Sequence, residues 1–389
     1  MPPGPRLAVI VDTFPRWSER FIARELCELL RRGIDLTVFA LKAGELLDKN
    51  DPDWLGLSER TVVLPYCITP RLALGRKSKL AARLDAVRAA LDASTFSRLN
   101  CLPSLVKLLQ QGRFTHVHAH FAGLPSTLGW LAAEELKLAF TLSVHARDVF
   151  VEPQLLREKI ASAQRVFCCH AVACEHLKTL ATEPRKVVLM HHGLPLERFP
   201  LTLRPTRRRG PLKLIAAGRF VKKKGYRELL ELLPPCTAPA PYIFLLCGEG
   251  PEQRAIETVI KARKLQPVIK VSPPLSADEL LEAFRDADVL VTPFQEAADG
   301  DFDGIPNTIL EAFATGLSVA GTQTGGMREL LPHRGAIAAP DIRSLAMGIS
   351  ELITNKGSHL VNILAARQLI ESEFDLRNVI KPLVREIQT

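Results

Sequence analysis

Three short segments in the second half of the chain combine residue types suited to holding an anion. Gly218-Arg219-Phe220-Val221-Lys222-Lys223-Lys224-Gly225 directly follows an apolar run. Arg219 offers a planar fork and a following lysine a compact point charge, which together could clamp a diphosphate. A solvated basic loop ahead of a helix would carry the same residues. Asp303-Gly304-Ile305-Pro306-Asn307-Thr308-Ile309-Leu310-Glu311 places Pro306 in what reads as a first helical turn. The N–H groups of that turn, with Thr308 and Ile309 as the expected donors, would face a bound anion. Asp303 and Glu311 lie about two helical turns apart, one at the mouth and one deeper. An acid beside a phosphate repels it, so these carboxylates suit hydroxyl groups; a capped helix with one buried Glu is the plain alternative. In Thr322-Gln323-Thr324-Gly325-Gly326-Met327-Arg328-Glu329, the glycine pair lets backbone approach a ligand closely, or simply makes a tight turn.

The elements that must position these segments read as alternating strands and helices. Leu7–Val11 is an apolar, β-rich run of the kind buried in parallel sheets. Ser18 is a candidate cap for a helix over Glu19–Arg32, stopped by Gly33, with a strand at Asp35–Ala40. Further strands are expected at His116–His120, Ala139–Val144, Arg165–Cys169 and Lys186–Met190. After a Pro- and Arg-rich stretch at Leu201–Pro211, read as a linker, the pattern resumes at Leu212–Ala217, Pro241–Cys247, Ala287–Pro293 and Ser318–Thr322. This predicts an α/β protein of two doubly wound, Rossmann-like domains facing across a cleft, which is the natural ligand site. The boundaries are set at 1–200 and 201–370, with 371–389 a C-terminal helix that either packs back on the first domain or stays with the second.

Length and composition agree. A chain of 389 residues suits two cores, and 47% hydrophobic with 24% charged residues suits a globular protein. The longest apolar run, Phe121–Ala133, is stopped by Glu134 and Glu135, so no membrane span is expected. No signal peptide is read at the N-terminus, and a cytoplasmic protein is expected. The eight cysteines are scattered without a C-x-x-C pair, which suggests neither a zinc site nor a disulfide framework. The net charge of +9 admits nucleic acid, anionic lipid or a phosphorylated substrate as partner, but three Tyr and three Trp provide no stacking surface among the basic residues, so nucleic acid is not expected.

In order and context the three segments are similar to glycosyltransferase family 4, the retaining enzymes of GT-B fold. The second half also carries Cys247-Gly248-Glu249-Gly250-Pro251 and Ala287-Asp288-Val289; the first half carries His118-Ala119-His120, Ser143-Val144-His145-Ala146-Arg147-Asp148 and His192-Gly193-Leu194 leading to Phe199. The resemblance implies a hexosyltransferase-like transfer from a nucleotide-diphosphate sugar to a hydroxyl of a glycan or lipid-linked glycan, with no metal or other cofactor. It implies that Arg219 and Lys224 bind the diphosphate and that Glu311 holds the ribose hydroxyls. Asp303 would lie near the donor sugar, and His145 would contact that sugar from the first domain. Gly218, Gly248, Gly304, Thr308 and Ile309 fall on the donor side, with Gly248 and 272–275 near the base. His118, His120 and Asp148 fall on the acceptor side, the two histidines at a loop edge. Asp303 stands where the family usually has Glu, and Asp12–Ser18 lacks the family's glycine pair.

The mechanism implied uses the leaving phosphate to assist deprotonation of the acceptor, with no protein nucleophile. No G-x-S-x-G, H-E-x-x-H or G-x-x-x-x-G-K-[ST] motif is present, in keeping with this. His116, His118 and His120 alternate on one strand face, but no acid is spaced to complete a metal site. The segment from Arg71 to Arg88 combines basic residues with Leu80, Leu84, Val87 and Leu91 at helical spacing. It reads as an ordinary surface helix or as a peripheral contact with the anionic inner face of a membrane. Rival functions are a catalytically silent module that binds a nucleotide sugar or a partner protein, suggested by Asp303, and another GT-B enzyme such as an epimerase or phosphorylase. A Rossmann dehydrogenase is disfavoured because no G-x-G-x-x-G follows the first strand.

Overall fold

A computed structural model describes residues 4–45, 51, 53–65, 79–151, 153–203, 210–235, 239–298, 300–331, 336–354 and 363–389. The chain folds as two units, Met1–Gly193 with Val379–Thr389, and Leu194–Asn378. The first unit ends at Gly193 rather than at 200 for a physical reason. Leu194 N–H donates to Phe374 O at 2.8 Å and Leu376 N–H donates back to Leu194 O at 3.0 Å. Leu194 and Phe199 also lie in the core of the second unit. At the other end, the expected helix over the last residues is three pieces, Ile363–Glu373, Leu376–Val379 and Lys381–Gln388, with Pro382 in the first turn of the last, where its missing N–H costs nothing.

Among the described residues of the first unit, the strands are β1 (Arg6–Phe14), β2 (Asp35–Ala43), β3 (Thr61–Val63), β4 (His116–His120), β5 (Ala139–Val144), β6 (Arg165–Cys168) and β7 (Val187–Leu189). They form one parallel sheet in the order β3-β2-β1-β4-β5-β6-β7. All five residues of β4 are buried, as expected of a central strand covered on both faces. Ser18 is not a cap: Trp17–Glu19 forms a short 3-10 turn, and the helix Arg20–Arg31 starts after it with Glu19 in the cap position and no side-chain cap.

The second unit carries β8 (Leu212–Ala217), β9 (Tyr242–Cys247), β10 (Ile269–Ser272), β11 (Val289–Thr292), β12 (Ser318–Thr322) and β13 (Ala336–Ala339). They pair in parallel in the order β10-β9-β8-β11-β12-β13. Numbered within the unit this is 3-2-1-4-5-6, the dinucleotide-binding order. It leaves a crevice beyond the C-terminal ends of β8 and β11, where the winding reverses. Each unit therefore has the doubly wound α/β architecture that the alternating pattern predicts.

Candidate active site

In the second unit the two loops that flank this reversal point are those bearing the first two motifs. The loop after β8 is fixed by backbone bonds: Gly218 N–H to Cys247 O at 3.0 Å, and Phe220 N–H to Glu249 O at 2.7 Å. Gly248 has φ +149° and a Cβ there would overlap Gly218 O, so this crossing of two loops requires glycine. Lys222–Lys224 forms a 3-10 turn that ends on Gly225, at φ +61°, pressed against Pro293 O of the loop after β11. The turn directs Lys224 inward. Its Nζ lies 2.7 Å from Asp303 Oδ2 and 3.8 Å from the Phe294 ring centroid. Lys223 Nζ bridges Asp301 at 3.0 Å and Asp303 at 3.2 Å.

Burial pushes the Lys224 ammonium below its ordinary value, opposed by the adjacent Asp303 charge. Burial also acts to raise the Asp303 carboxyl, but the two lysines outweigh it and hold Asp303 below its ordinary value. Arg219 is exposed beside this pair. The arrangement is a positive pocket with an internal counter-charge, suited to an anion that can displace or share that counter-charge.

The second and third motifs meet directly. Gly326 N–H donates to Asp303 O at 3.1 Å, and a Cβ on Gly326 would crowd the Gly304 carbonyl carbon at 2.6 Å. The glycine pair thus serves close approach of chain to chain. The helix Asn307–Thr315 has Pro306 just outside it, in extended conformation, not in its first turn. Of the two expected amide donors, Ile309 N–H is already given to Pro306 O at 3.1 Å; Thr308 lies in the first turn. Glu311 is buried on this helix, the deeper of the two acids. Two residues that spacing did not single out belong here. Asp301 is brought onto Lys223 by the return of the loop, and the Tyr226 hydroxyl, buried without a hydrogen-bond partner, lies 3.1 Å from where a Gly218 Cβ would be. Burial raises the Tyr226 pKa first, helped by the Asp303 charge, so the phenol is kept as a donor.

In the first unit, β4 lies beside the sheet's own reversal point between β1 and β4. His118 lies inside the strand rather than at a loop edge, and His120 is its last residue; they are 0% and 1% exposed. His118 is satisfied by its neighbour strand: Nδ1 with Thr141 Oγ1 at 2.8 Å and Nε2 with Ser143 Oγ at 3.2 Å. His116 shares the same Thr141 hydroxyl at 2.8 Å. An acid does reach this face, contrary to the expectation from spacing: Glu25 Oε1, on the helix Arg20–Arg31, stands 3.2 Å from His120 Nε2 and 3.9 Å from His118 Nε2. The strand β5 ends at Val144, and His145 caps the helix Ala146–Phe150. Asp148 accepts the His145 N–H at 3.0 Å and is buried, so it orients the cap. Burial lowers the His145 pKa well below its ordinary value, and brings His192 to about 3 and His116 to about 4. A small cavity lined by Phe21, Glu25, His120, His145, Cys169 and His192 opens at this edge.

The described part of the basic segment, the helix Lys79–Ala90, buries Leu84 and Val87. Its Arg83 is engaged by Glu134 at 3.3 Å, and Arg88 lies over the Phe96 ring at 5.6 Å. Arg71, Arg76 and Lys77 lie outside the described residues. No helix among the described residues is long and apolar enough to cross a membrane.

Comparison with known proteins matches residues 18–198 to the family model Glycosyltransferase Family 4 and residues 204–369 to Glycosyl transferases group 1. The amylovoran biosynthesis glycosyltransferase AmsK of Erwinia amylovora is 23% identical over 395 residues, which cover 95% of this chain and 96% of that one. One component of the human phosphatidylinositol N-acetylglucosaminyltransferase is 24% identical over 268 residues, 65% of this chain and 52% of that one. A crystal structure of Anabaena HepE in complex with UDP and glucose superposes with a TM-score of 0.70 at 12% identity, covering 100% of both chains. At that identity the likeness speaks for the fold alone.

Proposed function

Since the chain belongs to the family 4 glycosyltransferases of GT-B fold, we propose that it moves a sugar, with retention at the anomeric carbon, from a nucleotide-diphosphate sugar to a hydroxyl of a glycan or lipid-linked glycan. The carrying observation is the basic pair at the reversal point of the second sheet: Lys224, buried and held at 2.7 Å by Asp303, with Lys223 beside it and Arg219 exposed above. Breaking the bond from sugar to diphosphate develops negative charge on the leaving phosphate. Fixed cations there stabilise that charge without reorganisation, and no metal is required at the diphosphate. In this reading Arg219 and Lys224 hold the diphosphate, with the Thr308 amide as a further donor. Glu311 takes the ribose hydroxyls, Gly248 leaves room near the base, and His145 offers its ring to the donor sugar. The leaving phosphate takes the acceptor proton. Asp303 holds the lysines in charge balance until the donor arrives.

That the AmsK relative acts in amylovoran biosynthesis, and the human relative on phosphatidylinositol, supports a polymer or lipid-linked acceptor. The HepE complex with UDP and glucose makes UDP-sugars the first donors to try. The experiment is a thermal-shift series with UDP-, GDP- and ADP-sugars, with and without EDTA, followed by NMR of the anomeric product. A selective, EDTA-resistant shift and an α-product from an α-donor are expected; a flat response from folded protein overturns the donor site. One observation favours a second reading, a silent donor-binding module: both Asp303 oxygens are engaged by lysine. It predicts the same thermal shift with no turnover on any acceptor.

A further inference from the structure

The parallel sheet of the first unit brings three residues together that lie far apart in sequence. His145 follows the end of β5, Cys169 the end of β6 and His192 the end of β7, and these strands are neighbours. Their ligand atoms, two imidazole nitrogens and a thiol sulfur, all lie within 4.8 Å of one another. His145 Nε2 and His192 Nε2 are buried with no hydrogen-bond partner, and His145 is only 9% exposed. Two buried imidazole nitrogens without partners, facing a thiol across a small cavity, lack something that accepts their lone pairs. A hydroxyl would satisfy one of them; a cation satisfies both and can take the thiolate as a third ligand.

We propose that His145, Cys169 and His192 form a binding site for a thiophilic divalent cation, Zn2+ by preference, at the C-terminal edge of β5, β6 and β7. Thiolate with two imidazoles is a borderline-soft donor set that selects zinc over magnesium or calcium, which require oxygen ligands. Zn–N distances of about 2.0–2.1 Å and Zn–S of about 2.3 Å set tetrahedral ligands roughly 3.3–3.6 Å apart, so side chains already within 4.8 Å of one another need close in by no more than about 1.5 Å. Cys169 releases its proton to solvent as it ligates, and water takes the fourth position. His118 is not part of the set, since Thr141 and Ser143 engage both its nitrogens. Phe21, stacked on His192 at 3.9 Å between ring centroids, fixes the ring plane. The ion would tie three strand-end loops together. This inference does not rest on the proposed transfer reaction, and it takes the place of the sugar contact given there to His145, whose Nε2 cannot serve both.

The test uses the full chain, stripped with EDTA and desalted, then given Zn2+ alone and separated from unbound metal by gel filtration. About one ion per chain is expected by elemental analysis. Cys169→Ser and His192→Gln should each lose it, while Cys101→Ala, at a thiol remote in sequence, should keep it. Co2+ in place of Zn2+ gives an answer on the unmutated chain, so misfolding of a variant does not blunt the test. A thiolate-to-cobalt charge-transfer band with intense tetrahedral visible bands is expected. Uptake well below one ion, uptake unchanged in both ligand variants, or a weak octahedral cobalt spectrum without the thiolate band overturns the site.

Discussion

Asp303→Asn tests the charge balance of the basic pocket with few other changes. The substitution keeps shape but removes the charge that Lys224 meets at 2.7 Å and Lys223 at 3.2 Å. Lys223 keeps Asp301 at 3.0 Å, so the loss falls on Lys224. Removing one partner of a buried pair costs about 3–5 kcal/mol, because the remaining charge stays desolvated. With Asp303 17% and Lys224 11% exposed, water softens this, and the low end of about 3 kcal/mol is the better figure. A domain of this size loses ~2–4 °C per kcal/mol, so the melting midpoint should fall by roughly 6–12 °C. A nucleoside diphosphate brings the missing charge with it, and in the unmutated protein it must approach Lys224 against Asp303. UDP should therefore raise the midpoint of the variant by more degrees than that of the parent, while sugar transfer declines. The pH dependence follows from signs. Asp303 is depressed below its ordinary 3.8, so its contribution is complete above about pH 4 and is lost as pH falls through the folded value. Lys224 is also lowered, so the difference between parent and variant shrinks on the alkaline side before pH reaches the ordinary lysine value of 10.5. Differential scanning fluorimetry with a UDP series at several pH values reads all of this. An unchanged midpoint in the variant refutes the balance, and equal UDP shifts refute competition between diphosphate and Asp303 for Lys224.

Arg219→Ala should reduce kcat by about 10²–10³ and weaken donor binding, with an unchanged melting midpoint since the side chain is exposed; steady-state kinetics beside a melting curve checks it. Gly248→Ala must move either the Gly218 or the Gly248 loop, at φ +149°, so both stability, by ~1–3 kcal/mol, and donor affinity should fall, measured by denaturant titration and calorimetry. Lys159→Met leaves the carbonyls of Ala122, Gly123 and Gln154 without the ammonium they share, and should destabilise the first unit by at least ~2 kcal/mol in urea. If the segment from Arg71 to Arg88 rests on a membrane, the protein should pellet with anionic liposomes at low salt and release at high salt; no pelleting removes that contact.

The strands that read clearly in sequence are those with long apolar runs and two covered faces, such as β1 and β8. The short β3, β10 and β13, three or four residues each, carry too little pattern to register alone. The basic loop after β8 was legible because a strand, a glycine and a basic run stand in direct succession. Its counter-ions were only half legible: Asp303 came with its motif, whereas Asp301 needed the fold of its loop. The histidine pocket shows the limit most clearly. Glu25 meets His120 from a helix some ninety residues earlier, and Cys169 meets His145 and His192 from adjacent strand ends. Such neighbours are set by strand order, which local spacing does not encode. The glycine pair 325–326 fits either of the two readings left open, and its use against 303–304 is a matter of loop packing.

The return of Val379–Thr389 to the first unit has a consequence for synthesis. On the ribosome, the N-terminal sheet emerges whole well before the segment that completes its unit, whose Arg165 later bonds Glu386 at 2.6 Å. Between those moments the entire second unit is made and can fold on its own core. The N-terminal unit therefore matures last although it is translated first, and a chain that stops before Val379 would present a finished second unit joined to an unfinished first one. Chains truncated after Asn378 and released from the ribosome should accordingly show a protease-resistant second unit and a first unit that is cut more readily than in the full chain.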